Sequence, residues 1–189
     1  MLKDILKAKK EKKPLLMMSH LVIGYPSLED NWIMLETMAA AGADTIELQF
    51  PFSEPVADGP LFVQANQAAL DNGITVSACF EFMEKATKAF DIPFLMMGYY
   101  NTVFAMGEEK FCQRLAEVGA KGMIVPDLPI EESKKFFSYA EKYELSPVLI
   151  VTPNASAKRI AEVTKHSKGF VYCVARKGVT GLSTSFDLD

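Results

Sequence analysis

The chain has 189 residues, of which 49% are hydrophobic and 23% charged, with a net charge of −4. That balance excludes a disordered chain, and its acidity excludes a general nucleic-acid binder, which needs a basic surface. No apolar run approaches the ~18 residues that cross a bilayer, and the charged N-terminus lacks the apolar stretch of a secretory signal, so no membrane partner is expected.

The basic run from Lys7 to Lys13 reads as a solvated helix face. The first expected strand is Leu15–Val22, with His20 towards its end. Ser27 with Asp30 resembles a capping box, and Leu28, Trp32, Leu35 and Ala39 follow at helical spacing. Gly42, in Ala41-Gly42-Ala43, is placed to end that helix in the left-handed conformation. Strands are then expected at Thr45–Phe50 and Pro93–Tyr99. Val118-Gly119-Ala120 repeats the helix-ending device before a strand at Gly122–Val125. A helix over Glu131–Tyr143 carries Phe136, Phe137, Ala140 and Tyr143 on one stripe. Strand Pro147–Val151 follows, then a helix from Asn154 with Ile160 and Val163, then strand Gly169–Val174.

These strands are continuous apolar runs, as in parallel sheets buried on both faces. Alternation with helices means an open doubly wound sheet or a closed barrel. Neither G-x-G-x-x-G nor a P-loop follows a strand, which disfavours the nucleotide-binding form. The expectation is one domain over residues 1–189, an incomplete (β/α)8 TIM barrel with about six parallel strands. A full barrel takes ~250 residues, so the chain reads as two β/α units short at its C-terminal end. Cys79, Cys112 and Cys173 are odd in number and lack metal-ligand spacing. They read as free thiols of a reducing, cytoplasmic compartment.

In such barrels the chemistry sits at the C-terminal strand ends. Glu47 interrupts the buried strand Thr45–Phe50, where desolvation should raise its pKa and suit it to donating and accepting a proton. A carboxylate held in the wall by hydrogen bonds fits the same pattern. Asp58 follows in Pro51-Phe52-Ser53-Glu54-Pro55-Val56-Ala57-Asp58-Gly59-Pro60, a loop stiffened by three prolines, and both acids can face one pocket. A turn residue or helix N-cap is the alternative for Asp58. Tyr172 lies late in the last strand, and Gly178-Val179-Thr180-Gly181 reads as a mobile loop or an anion contact. Asn101 and Asp127 fall just past strand ends, where each caps a turn or supports the site from behind. His20 and His166, without a third ligand, give no metal site and no catalytic triad.

Taken together, several segments resemble the tryptophan synthase alpha family. They are Gly24-Tyr25-Pro26, Glu47 with the Pro51–Pro60 loop, Tyr100-Asn101, Val125-Pro126-Asp127-Leu128-Pro129, Gly169-Phe170-Val171-Tyr172 and Gly178-Val179-Thr180-Gly181. The resemblance runs from about residue 15 onward, in the family's order and spacing.

It implies a lyase that splits indole-3-glycerol phosphate into indole and glyceraldehyde 3-phosphate, with Glu47 and Asp58 catalytic. By matched position, Met97, Ile124, Ile150 and Tyr172 would wall the indole pocket. Thr180 would order the closing loop beside Asp58, and Gly181 would help hold phosphate. It implies no cofactor in this chain. Pyridoxal phosphate would belong to a beta subunit that completes an alpha2-beta2 complex and faces the loop around Glu54. Departures are His20 for a usual pocket aromatic, Gln49 for Gly, Glu54 and Lys121 for Asp, and Ala175 for Ser. The family's last two β/α units are missing, so the isolated piece is expected to be weakly active or inactive. Two other readings follow: a regulatory subunit that only activates its beta partner, and a stand-alone lyase releasing free indole.

Overall fold

The computed structural model describes residues 1–175. Seven strand segments alternate with eight helices among them: α1 (Leu2–Lys10), β1 (Met18–Val22), α2 (Leu28–Ala40), β2 (Thr45–Gln49), α3 (Pro60–Asp71), α4 (Val76–Ala89), β3 (Phe94–Met97), α5 (Tyr100–Met106), α6 (Glu108–Glu117), β4 (Gly122–Ile124), α7 (Lys134–Lys142), β5 (Ser146–Pro147), β6 (Leu149–Val151), α8 (Ala157–His166) and β7 (Val171–Cys173). All pairings are parallel, in the order β1-β2-β3-β4-β5 and then β6-β7.

The expected strand Pro147–Val151 is real but divided. β5 pairs β4 and β6 pairs β7. Val148 between them still donates its N–H to Met123 O at 2.9 Å. The six expected strands are therefore six staves, the fifth changing partner at Val148. Among the described residues no pairing joins β1 to β7, so the wall is an open arc of a (β/α) barrel.

Local boundaries follow hydrogen bonds more than apolar pattern. β1 begins at Met18, three residues later than expected, so His20 lies at its centre. Ser27 caps α2, its Oγ accepting from Asp30 N at 3.0 Å. Gly42 and Gly119 take φ +83° and +85°, the left-handed conformation expected after α2 and α6. α7 starts at Lys134 instead of Glu131, because Glu132 N and Ser133 N bond back to Pro129 O and Ile130 O in a preceding turn. α8 starts at Ala157 instead of near Asn154. A turn from Thr152 O to Ala155 N uses the earlier residues, and Ser156 provides the cap. Of its expected apolar pair, Val163 is buried and Ile160 is 44% exposed.

Two apolar layers result. The outer one packs strand residues Leu21, Ile46, Leu48, Met96 and Met123 against helix residues such as Leu35, Phe80, Phe111 and Phe136. The inner one joins Leu95, Met97, Tyr99, Ile124 and Val148, with Met18, Phe52, Ile150, Phe170 and Tyr172 around them. Alternation along each strand sends successive side chains to opposite layers. Leu2 of α1 is fully buried in the inner layer and lies against Gly169, ahead of the basic run, whose Lys7, Lys10 and Lys12 are exposed as expected of a solvated face. Lys13 is instead engaged, its Nζ 2.8 Å from Oδ1 of buried Asp44. No helix of the described residues is long and apolar enough to cross a membrane.

Candidate active site

Glu47 sits at the middle of β2, flanked by Ile46 and Leu48 of the outer layer, and its own side chain points inward. It is 5% exposed. Burial, reinforced by the negative charge of Asp58, pushes its carboxyl up to about 7. On β1 the residue in register is His20, whose Nε2 is 4.0 Å from Glu47 Oε1. Burial lowers His20 to about 4, against a weaker opposing contact with Gln49. The His20 ring packs edge-on against Phe62 at 4.9 Å.

Asp58 lies on the β2–α3 loop. The helix cap is Gly59, with Pro60 in the first helical position, so the Asp58 carboxylate is not spent on capping. Its Oδ2 accepts from Gln49 Nε2 at 2.7 Å and from Asn66 Nδ2 at 3.4 Å. The Tyr99 hydroxyl donates to the same carboxylate and accepts from Ala57 N at 3.1 Å, which pins the loop to the end of β3. Tyr99 is itself stacked on Phe52 at 5.3 Å. Burial raises the Asp58 pKa, and the donors from Gln49, Tyr99 and Asn66 oppose that rise.

Met97, Ile124, Ile150 and Tyr172 fall together in the inner layer. Met97 is in register with Ile124, and Ile150 with Tyr172. The Tyr172 hydroxyl is raised by burial and by the charge of Glu47, so it shares that acid's surroundings. Asp127 is exposed and accepts from Tyr100 N at 2.9 Å, capping α5. Asn101 is exposed on the first turn of α5 and makes no side-chain hydrogen bond among the described residues. Thr180 and Gly181 lie outside the described residues.

Three groups at the site escaped sequence reasoning. In the sequence Gln49 stands out only as a departure from the family, Tyr99 only as the end of an expected strand, and Asn66 not at all, since no helix is expected over the segment that holds it. Gln49 carried a signal: it is a second polar residue two positions from Glu47 in an otherwise apolar strand, hence on the same face. Among the described residues no cluster of His, Cys, Asp and Glu forms a metal site.

A parallel (β/α) wall that buries one carboxyl and holds a second on the loop leaving the same strand places this chain among the barrel-fold enzymes. The family model for the tryptophan synthase alpha chain matches residues 6–189. The tryptophan synthase alpha chain of Syntrophotalea carbinolica is 50% identical over 186 residues, 98% of this chain and 74% of that one. A tryptophan synthase structure from Mycobacterium tuberculosis superposes with a TM-score of 0.90 at 29% identity, covering 97% of this chain and 71% of that chain. The tryptophan synthase complex of Pyrococcus furiosus gives a TM-score of 0.80 at 28% identity, covering 84% and 65%. The chain belongs to the tryptophan synthase alpha chain family.

Proposed function

We propose that this protein cleaves indole-3-glycerol phosphate to indole and glyceraldehyde 3-phosphate by a retro-aldol reaction. The observation that carries the reading is the pairing of Glu47, held near neutrality by burial, with Asp58, held by three donors in the loop that follows. Glu47 donates its proton to the ring carbon bearing the glycerol chain. Asp58 accepts a hydrogen bond from the ring N–H and stabilises the resulting cation. Glu47, now ionised, removes the proton from the glycerol hydroxyl, the carbon–carbon bond breaks, and indole leaves as the aldehyde forms. General acid catalysis of this kind contributes about 10²–10⁴-fold, and a fixed counter-charge adds to it.

Met97, Ile124, Ile150 and Tyr172 wall the flat ring in this reading, and His20 joins them as a neutral edge. Asp127 supports the loop behind the site through its bond from Tyr100 N, while Asn101 stands exposed beside it. By family match, Thr180 orders the closing loop and Gly181 holds the phosphate. The chain uses no cofactor of its own. Pyridoxal phosphate belongs to a beta chain with which this one forms an alpha2-beta2 complex. The loop that carries Asp58 supports that partner: Val56 and, just beyond it, Leu61 are each 70% exposed, apolar side chains at the rim of the site. A reducing, cytoplasmic setting accords with the buried free thiols of Cys79 and Cys112.

The test is release of glyceraldehyde 3-phosphate from indole-3-glycerol phosphate by the full-length protein with a beta chain. Glu47→Gln and Asp58→Asn should each lower turnover by at least about 100-fold with the fold intact. Turnover within tenfold of the native protein in either variant overturns the reading.

A further inference from the structure

We propose that Gln49 is a positioning residue that holds the Asp58 carboxylate in its working orientation, and that Asn66 dictates which way the Gln49 amide faces. This rests on the reading of Asp58 as the carboxylate that meets the substrate ring.

Gln49 is fully buried at the end of β2, two residues beyond Glu47 and so on the same face of the wall. Its Nε2 serves two acceptors, Asp58 Oδ2 at 2.7 Å and Asn66 Oδ1 at 3.4 Å. Asn66 is itself fixed. Its Oδ1 accepts from Phe52 N at 3.0 Å and its Nδ2 donates to Phe62 O at 2.7 Å. Neither backbone group can exchange roles, so the Asn66 amide has one orientation. A reversed Gln49 amide would then put its oxygen against two other oxygens. The Gln49 amide is therefore locked with its N–H2 towards Asp58.

The opposite side of the same amide carries the second observation. Gln49 Oε1 is buried and closes no hydrogen bond. It faces the His20 ring closely enough to favour that ring's protonated form, no more. A buried carbonyl without a donor destabilises a fold. An apolar side chain of similar length would avoid that cost, yet an amide is present. What the amide supplies is a charge-assisted donor to Asp58, which keeps the carboxylate ionised and aimed.

The ionisable groups around this arrangement are Glu47 on the same strand, His20 on β1 and Tyr99 after β3. Tyr172 on β7 faces Glu47, and Asp127 acts on Tyr99 from the β4–α7 loop.

The experiment compares Gln49→Met and Gln49→Asn with the native full-length protein, measuring cleavage across pH, melting temperature, and Asp58 titration by carboxyl NMR. Gln49→Met should leave the melting temperature close to the native value, because it removes the unsatisfied oxygen and the donor to Asp58 together, two opposed effects. It should lower kcat by about ten- to a hundredfold with a smaller change in KM. In both variants the acid limb of the rate profile and the Asp58 titration should move to higher pH, because the donor that favours the carboxylate is lost or withdrawn. An unmoved acid limb and titration overturns the proposal. So does an equal loss at every pH with a falling melting temperature, or failure of both variants to fold, either of which marks Gln49 as a packing residue. Glu47→Gln and Asp58→Asn keep the two questions apart. If they retain turnover, the lyase reading fails. If they lose it while the Gln49 variants behave like the native protein, only the positioning role fails.

Discussion

His20 and Glu47 stand directly opposite each other in the register of β1 and β2, with Nε2 4.0 Å from Oε1, and they form a neutral pair. Burial takes His20 down to about 4 and Glu47 up to about 7, so between those values the carboxyl keeps its proton and the imidazole has none. In the unfolded chain the ordinary values of 6.5 and 4.5 give the reverse, a charged imidazole and a charged carboxylate. Folding thus turns two separately solvated charges into a neutral pair, which avoids burying them charged.

The linkage has two opposed slopes. Glu47, with its folded pKa raised, contributes stability that is fully present below 4.5 and lost as pH rises through about 7. His20, with its folded pKa lowered, contributes stability present above 6.5 and lost as pH falls through about 4. Between 4.5 and 6.5 both states hold one proton on this pair, so its slopes cancel. Glu47→Gln removes one slope. Relative to the native protein, the variant should gain up to about 3 kcal/mol at pH 8 and nothing at pH 4, since one pKa unit is worth about 1.4 kcal/mol. Urea unfolding at the two pH values measures this, and equal stability of both proteins at pH 8 would refute it.

The same pair sets an expectation for catalysis. Glu47 must begin protonated to act as an acid, so kcat/KM should fall as pH rises through about 7. His20 is uncharged throughout that range, and its ring lies edge-on to Phe62. His20→Phe should therefore leave the alkaline limb where it is, whatever it does to substrate affinity. A limb that moves by a unit or more in His20→Phe would assign the proton to the imidazole instead.

Much of this site was legible in the sequence because its two acids break strong patterns. Glu47 interrupts an apolar strand, and Asp58 ends a proline-stiffened loop. Of the four wall residues, Tyr172 stood out by its place late in the last strand, while Met97, Ile124 and Ile150 carried no such mark and came only from family resemblance. Gln49, Asn66 and Tyr99 stayed hidden for a different reason: an amide or phenol in a regular element alters no period, and its meaning depends on partners 4 to 42 residues away. Helix starts were misjudged where turns at Pro129–Ser133 and Thr152–Ala155 satisfy backbone groups before the helix begins. The change of partner at Val148 is a tertiary event with no local code.

Asn31 illustrates a further polar group that the α2 pattern concealed. It is fully buried, its Oδ1 accepts from Gly24 N at 2.6 Å, and its Nδ2 donates to Tyr25 O at 2.7 Å. These bonds anchor the β1–α2 loop to the helix that follows. Asn31→Leu leaves a buried N–H and a carbonyl without partners and should cost about 2–4 kcal/mol. Glu29→Ala, on the exposed face of the same helix, should stay within about 0.5 kcal/mol. Thermal unfolding of the two variants checks the contrast, and a similar loss in both would mean that the loop is not held by Asn31.

Gly122 and Gly42 separate two reasons for having glycine. A Cβ at Gly122 would stand 2.2 Å from Ser146 O, a backbone atom of the neighbouring stave. Gly122 pairs with Ser146 in the register of β4 and β5, so the clash is relieved only by moving one strand from the other. That displacement would carry along Val148 and Ile150, which continue the same stave into the inner layer. Gly42 is the opposite case: its φ is +83°, but a Cβ there would meet nothing within 4 Å. Gly42→Ala should lose only the left-handed backbone preference, about 1–2 kcal/mol, and keep full activity. Gly122→Ala should lose about 3 kcal/mol or more and reduce turnover as well, because the wall beside Tyr172 shifts. Denaturant unfolding with a parallel cleavage assay distinguishes them. Equal stability losses with unchanged turnover in both would show that the close approach of β4 and β5 does not set the shape of the site.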